Sequence, residues 1–203
     1  MVRLLLRWWP SLATHVDSNK SSPLHFASSD GDCSIIEEIL THAPPSTAYL
    51  HDNEGLSALH AAALMGNGPA VRLLLRSYPA SAGIRDNHGR SFLHTAALRG
   101  HSSIVSQVIK NRMLENLLNQ QDQEGNTALH LAVEAGEYGT VSKLLSSGKV
   151  QVHIMNNAGH TPADLIEKST GFYSMVSKVP SFILKSSSTV AKIAVSSMQC
   201  IHF

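Results

Sequence analysis

The chain has 203 residues, which at roughly 100 to 200 residues per domain allows one or two domains, or about six units of a 34-residue repeat. Hydrophobic residues make up 43% of the chain and charged residues 15%, which excludes disorder throughout and membrane insertion throughout. A formal net charge of +1 argues against nucleic-acid binding, and two cysteines exclude a disulfide framework and favour a reducing compartment.

The first predicted element is the apolar run Val2-Arg3-Leu4-Leu5-Leu6-Arg7, which is followed by Pro10. It matches Val71-Arg72-Leu73-Leu74-Leu75-Arg76 and Pro79 residue for residue. Arg7 interrupts the leucines too early for a signal peptide, so we expect a cytoplasmic chain. Because the later copy follows a first helix, we expect residues 1–16 to be the second half of a truncated repeat. The chain would then be a fragment with an uncovered apolar face.

Four copies of a Ser/Thr-x-Leu-His pattern follow this element. Their histidines lie 35, 34 and 36 residues apart, and columns of aspartate, alanine and glycine keep similar offsets. In a further, degenerate copy at 156–167, Asp164 stands in the place of the histidine. The signature histidines are His25, His60, His94 and His130. The predicted repeats are 17–51, 52–85, 86–121 and 122–155.

Each copy opens with residues that suit a short helix. The hydroxyl is a good N-cap, because its oxygen accepts a bond from a first-turn amide that has no other partner. The second place tolerates Pro23, since a first-turn residue has no intrahelical amide bond to lose. A glycine then ends the helix at a site that favours positive φ. These glycines are Gly31, Gly66, Gly100 and Gly136.

A second helix is predicted after each of these glycines, because apolar residues there recur at spacings of one, three and four. Turn tetrapeptides with a final glycine follow at 52–55, 86–89 and 122–125. The first turn, at 17–20, lacks this glycine, which predicts a less regular hairpin. The predicted helix pairs are 22–30 with 33–42, 57–65 with 68–77, 91–99 with 102–111, and 127–135 with 138–147.

The composition changes at residue 168. Residues 168–203 contain four lysines, nine serines and no acidic residue, and Pro180 interrupts any long helix. We expect a Ser/Lys-rich, poorly ordered tail. The sequence has no run of the roughly 18 uncharged apolar residues that a membrane-spanning helix needs.

The pattern resembles the ankyrin repeat, whose signature is T-P-L-H-x-A, over residues 1 to about 167. The resemblance implies an all-α solenoid of helix-turn-helix units joined by hairpin loops, starting inside a repeat. The sequence is also similar to plant membrane ankyrin proteins of the accelerated-cell-death type. This similarity lies in residues 22–32, 122–133 and 156–165 and in the later segment Phe172-Tyr173-Ser174-Met175-Val176. Those proteins carry a PGG domain with transmembrane helices, a domain that we expect to be missing from this chain. The resemblance implies a role in plant defence or stress signalling, and full-length relatives lie at the cytoplasmic side of the plasma membrane.

The signature histidines admit a metal-binding interpretation and a structural one. Packed helices place such side chains about 8 to 10 Å apart, whereas zinc needs ligands that converge at about 2.0 to 2.1 Å. We therefore interpret all four as structural. Ser/His pairs three residues apart lack an orienting acid, and the serines already act as caps, so catalysis is disfavoured. No phosphate-binding loop is present. We predict no metal, no cofactor, no small-molecule substrate and no enzymatic activity.

The remaining candidate is a surface that binds a protein partner. Repeats of this kind expose their hairpin tips and one side of their first helices. The sequence therefore predicts a non-enzymatic scaffold; the alternative is a membrane-associated signalling component whose transmembrane domain is missing from this chain. The predicted partner-binding residues are Phe26, Asn53, Glu54, Leu64, Met65, Asn87, His88, Leu98, Arg99, Gln123, Glu124 and Leu131.

Overall fold

The computed structural model describes the backbone of residues 2–168 and the side chains of residues 3–165. This part of the chain consists of α-helices, short 3₁₀ helices and turns, with one isolated β-bridge, between Gln121 and Thr127, and no strand. The all-α fold class is therefore confirmed. The chain divides into two compact units, Met1–Ala96 and Ala97–Phe203. The predicted tail, apart from its first residue, lies outside the described residues.

The predicted helix pairs are present, and every predicted end falls within one residue of the observed one. The α-helices are α1 (Val2–Trp8), α2 (Pro23–Asp30), α3 (Cys33–His42), α4 (Ala58–Leu64), α5 (Gly68–Ser77), α6 (Phe92–Leu98), α7 (Ser102–Lys110), α8 (Ala128–Glu134), α9 (Tyr138–Ser146) and α10 (Pro162–Lys168). Helices of the 3₁₀ type, which the sequence analysis did not predict, cover Pro10–Thr14, Pro45–Tyr49, Pro79–Gly83 and Arg112–Asn119.

The first helices begin and end as the pattern predicts. Ser57 precedes α4 with an extended backbone (φ −92°, ψ 170°), as an N-cap does. Gly66, just beyond the end of α4, has a φ of 77°, the left-handed conformation that glycine adopts without steric cost. Similar φ values, from 72° to 77°, occur at Gly31, Gly100 and Gly136.

Within residues 1–96, first helices of the repeats pack on first helices, and second helices pack on second helices. The first helices α2 and α4 lie side by side, while α1 packs on α3 and α3 packs on α5. The apolar face of each second helix provides the core beneath the first helices. The largest buried apolar side chains in this unit are Leu24, Ile36, Ile39, Leu59, Phe92 and Leu93.

The second unit repeats this arrangement. In it α10 packs on α8, and α7 packs on α9. The 3₁₀ helix Arg112–Asn119 returns the chain from α7 towards the next turn and buries its leucines. The largest buried side chains here are Ile104, Leu118, Leu129, Leu131 and Leu144.

The first hairpin turn is regular, so the prediction of an irregular turn at 17–20 is wrong. Lys20 adopts a φ of 61°, where Gly55 of the next turn has 77°. The Lys20 N–H donates to the Asp17 carbonyl oxygen at 3.0 Å, just as the Gly55 N–H donates to the Asp52 carbonyl oxygen at 3.1 Å. A lysine therefore occupies a left-handed position that the other turns give to glycine.

Candidate partner-binding surface

Each hairpin tip is held by the aspartate that begins its turn. One side-chain oxygen of Asp52, Oδ1, accepts from the backbone N–H of Glu54 at 2.9 Å and of Leu56 at 2.8 Å. Asp86 and Asp122 accept from the same two places of their own turns at 2.8 to 3.0 Å. The carboxylate thus replaces solvent at two amides, which fixes the backbone of the tip.

Neighbouring tips are also bonded to one another. In the first unit the Asn87 backbone N–H donates to the Glu54 carbonyl oxygen at 3.0 Å, and the Asn87 side-chain amide donates to the Asn53 carbonyl oxygen at 2.8 Å. Asn53 makes the equivalent side-chain bond to the Ser18 carbonyl oxygen at 3.3 Å. In the second unit, Asn157 does the same with the tip of the preceding turn. Asn53 and Asn87, which the sequence analysis assigned to a partner, therefore hold the turns together.

The other tip residues present their side chains to solvent. Glu54 and His88 are exposed in the first unit, and Gln123 and Glu124 are exposed in the second. Glu124 also accepts a bond from the Asn126 side-chain amide at 3.2 Å. Each unit thus offers polar and acidic groups on a backbone of fixed shape.

The first helices add an apolar part to this surface. Met65 at the end of α4 is 58% exposed, and Phe26 on α2 is 53% exposed. In the second unit, Arg99 is exposed. Leu64 and Leu98, seven places after their caps, are half-buried.

Leu131 corrects the sequence assignment. Its side chain is only 1% exposed, so it offers no contact to a partner. Four places after the N-cap, it occupies the same position as Ala61 on α4, which is also buried. The side chain at this position is buried on α4 and α8, whereas on α2 it is Phe26 and is exposed.

The signature histidines connect successive repeats. His25 donates from Nε2 to the Leu56 carbonyl oxygen at 2.9 Å, which lies just beyond the next turn. On the other side of the ring, Nδ1 accepts from the backbone N–H of Ser22 at 3.1 Å. Bonds of the same kind join His60 to Arg90 and His130 to His160, each at 3.0 Å. Nδ1 of His94 likewise accepts from the backbone N–H of Ser91, at 3.2 Å.

This geometry determines the protonation state of the rings. A carbonyl oxygen can only accept, so Nε2 carries the proton, and an amide N–H can only donate, so Nδ1 carries none. Burial lowers the pKa of His25, His60 and His130 below the usual 6.5, and the hydrogen bond to the carbonyl opposes this only in part. The rings are therefore neutral at pH 7.

The Ser/His pairs do not have the geometry of a nucleophile and its base. The hydroxyl of Ser57 lies 2.9 Å from Nδ1 of His60, but both side chains are fully buried. The far side of the ring donates to the carbonyl of Arg90, where a catalytic histidine would be oriented by a carboxylate. A substrate would have no access to this hydroxyl.

In the described part of the chain, no three His, Cys, Asp or Glu residues lie close enough to share a metal ion. None of the helices between residues 2 and 168 is long and apolar enough to cross a membrane.

The comparisons with known proteins agree with this architecture. The family model described as "Ankyrin repeats (3 copies)" matches residues 1–86 and 69–156. The chain is also similar to a protein of Caenorhabditis elegans, "Transient receptor potential cation channel subfamily A member 1 homolog", at 29% identity over 138 residues. That match covers 68% of this chain and 8% of the relative, so the chain spans less than a tenth of that protein. Ankyrin repeats are generally non-enzymatic modules for protein interaction. The chain belongs to the ankyrin-repeat family.

Proposed function

We propose that this chain is a non-enzymatic scaffold that binds a protein partner through its hairpin tips and the exposed side of its first helices. The observation that carries the proposal is the contrast at the tips between a backbone fixed by hydrogen bonds and side chains that are exposed to solvent. Asp52 and Asn87 hold the turn around Glu54, whose own side chain is exposed.

A surface of this kind is suited to recognition. Because hydrogen bonds already order the turns, the backbone of the turns would lose little conformational entropy when a partner binds. Met65 at the end of α4 adds a flexible apolar contact, and Glu54 in the turn before α4 adds an acidic one. A protein surface that combines an apolar patch with basic groups fits this combination best.

The setting we propose is plant defence or stress signalling, in the cytoplasm for this chain and at the cytoplasmic side of the plasma membrane for a full-length relative. It is supported by the resemblance of residues 22–32, 122–133 and 156–165 to plant membrane ankyrin proteins. The alternative, a membrane-associated component, differs in one measurable respect. Co-sedimentation of the purified 203-residue chain with anionic vesicles would favour it, whereas a chain that stays in the supernatant would favour the protein-binding scaffold.

Site-specific photo-crosslinking tests the proposed surface. A benzophenone amino acid is placed at Met65 on the first helix α4, or at the control position Arg72, which is exposed on the second helix α5. The cross-linked protein is identified by mass spectrometry and then purified. We expect this partner to be cross-linked from position 65 and not from position 72. Equal cross-linking from both positions would contradict the proposed surface.

A further inference from the structure

Asn67 is the only asparagine of the sequence that is followed directly by a glycine, Gly68. It lies between α4 and α5, as the N-cap residue of α5. A glycine has no side chain that hinders its own amide nitrogen. In a flexible chain this nitrogen therefore attacks the carboxamide of a preceding asparagine more readily than the nitrogen of any other residue does. Asn67 is thus the asparagine of this chain that is chemically best suited to deamidation.

The fold uses the carboxamide of Asn67 to join two repeats. Its Nδ2 donates to the carbonyl oxygen of Ser28 at 3.0 Å and also to that of Ser29, both near the end of α2. A Cβ atom added to Gly31 would lie 2.9 Å from both Cγ and Oδ1 of Asn67, so the carboxamide packs directly against this glycine. The side chain that would react is therefore held by the preceding repeat.

The attacking nitrogen is held as well. The backbone N–H of Gly68 donates to the carbonyl oxygen of Gly66 at 2.9 Å, and Gly68 is buried. The reaction requires this N–H to lose its acceptor and the Asn67 carboxamide to leave the end of α2. It can therefore proceed only when this contact opens.

The corresponding place in the preceding repeat shows what an aspartate does there. Asp32 follows Gly31 as Asn67 follows Gly66, and its Oδ1 accepts from the backbone N–H of Ser34 at 3.0 Å and of Ile35 at 3.1 Å. It caps its own helix, whereas the Asn67 side chain makes no capping bond. An ionised carboxylate has no hydrogen to donate to a carbonyl oxygen. Aspartate at position 67 therefore could not join the two repeats as asparagine does.

We propose that Asn67 is a site of spontaneous deamidation, that its contact with the end of α2 protects it, and that its product no longer joins the first two repeats. When the contact opens, hydroxide removes the proton of the Gly68 amide nitrogen, and this nitrogen attacks Cγ of Asn67. The new C–N bond replaces the bond from Cγ to Nδ2, and Nδ2 leaves as ammonia after taking a proton from water, which restores the hydroxide. Water then opens the five-membered imide to aspartate or isoaspartate.

Incubation of the full chain in ¹⁸O-labelled water at pH 8 measures the reaction. The ring-opening water leaves one ¹⁸O atom in the product, and peptide mass spectrometry locates it. We expect label at position 67 to appear at least about tenfold more slowly in the folded chain than in the chain unfolded by guanidinium chloride. Equal rates would overturn the protection, and an unfolded chain without label at position 67 would overturn the site.

Two histidine variants test which contact protects the site. His25→Ala removes the bond to the Leu56 carbonyl oxygen, which joins the first two repeats, and leaves the Asn67-Gly68 pair intact. It should raise the rate at position 67 at least about threefold. His130→Ala removes the equivalent bond to His160 in the second unit and should leave that rate unchanged. Equal rates in the two variants would contradict protection by the contact between these repeats.

A titration of the wild type covers the case in which His25→Ala fails to fold. The rate at position 67 should already rise at guanidinium concentrations below the unfolding midpoint, because the contact opens before the whole chain does. A rate that stays constant up to the midpoint would contradict local protection.

The effect of the product on the fold is tested with Asn67→Asp. Asn116→Asp makes the same chemical change at an exposed position in the second unit and is the matched control. Hydrogen exchange of the backbone amides of α2 should be at least about threefold faster in Asn67→Asp than in the wild type, and unchanged in Asn116→Asp. Exchange of α2 at the wild-type rate in both variants would overturn the claim that the product no longer joins the repeats.

Discussion

The Nε2–H of His60 donates to the carbonyl oxygen of Arg90 across 3.0 Å, although thirty residues separate them along the chain. The opposite nitrogen of the same ring accepts from the backbone N–H of Ser57, the N-cap of α4. One side chain thus connects the start of a helix to the turn of the next repeat. This explains why the histidine recurs with the repeat period: each repeat needs such a connection to its neighbour.

The first prediction concerns this connection. His60→Ala removes both bonds and leaves the buried Ser57 amide without its acceptor, so the free energy of unfolding should fall by about 1 to 3 kcal/mol. Urea denaturation followed by circular dichroism measures the change. His88→Ala, at an exposed turn position, is the matched control and should change the stability by less than about 0.5 kcal/mol. Equal stability of both variants would contradict the structural role, as would stoichiometric zinc that is bound by the wild type and lost in His60→Ala.

The second prediction concerns pH. The pKa values of His25, His60 and His130 are lowered in the folded state, so the unfolded chain takes up protons first as the pH falls. Stability should therefore be constant above about pH 6.5 and decline below it, by at most about 1.4 kcal/mol per pH unit for each histidine.

Asp32 does not interfere in this range. The hydrogen bond from Ser34 lowers the pKa of Asp32 below the usual 3.8. Its contribution to the stability of the fold is therefore lost only at more acidic pH. Urea midpoints at pH 7.5, 6.5 and 5.5 test the prediction. His60→Gln should show a shallower decline than the wild type, and an identical decline in both proteins would contradict the assignment to His60.

The third prediction uses the lysine in the left-handed position. Lys20→Gly should raise the stability by about 1 kcal/mol, since a side chain at positive φ costs about that much more than glycine. The reverse change in the next turn, Gly55→Ala, should destabilise the protein, because its Cβ would lie 2.6 Å from the Asn87 backbone nitrogen. Thermal unfolding compares the three proteins. A melting temperature lowered by Lys20→Gly would show that the turn does not strain the lysine.

Much of the fold follows from local rules that the sequence displays. The hydroxyl before α4 and Gly66 after it define a short helix by capping alone, and the apolar spacing of Val71 and Leu74 identifies the buried face of α5. The 3₁₀ helices were not predicted, because a proline followed by small residues, as at 79–83, fits a loop equally well. The regular turn at Lys20 was missed because the conformation depends on bonds to Asp17 rather than on the residue itself.

The candidate surface was harder to derive, since it depends on contacts between repeats. Asn53 and Glu54 are adjacent polar residues of one turn, and their sequence gives no reason to separate them. Only the neighbouring turn shows that the Asn53 amide is bonded while the Glu54 side chain projects into solvent. Leu131 was assigned to the exposed face for the same reason, because its burial depends on what packs against α8.

The fourth prediction separates these two kinds of tip residue. Asn87→Ala removes the side-chain bond to the Asn53 carbonyl oxygen and should lower the free energy of unfolding by about 1 kcal/mol. Glu54→Ala should leave stability unchanged within about 0.5 kcal/mol and weaken partner binding instead. Urea denaturation of both variants decides between these roles. A larger loss of stability in Glu54→Ala than in Asn87→Ala would contradict this assignment of roles.

The most direct test of the account is the affinity of the cross-linked partner for purified surface variants. Met65→Asp places a charge in the apolar part of the proposed surface, whereas Arg72→Glu alters an exposed residue on a second helix. Isothermal titration calorimetry should show a Kd raised at least about 30-fold by Met65→Asp, which corresponds to about 2 kcal/mol, and a Kd changed less than about threefold by Arg72→Glu. An unchanged Kd for Met65→Asp, together with a raised Kd for Arg72→Glu, would contradict the claim that the tips and first helices bind the partner.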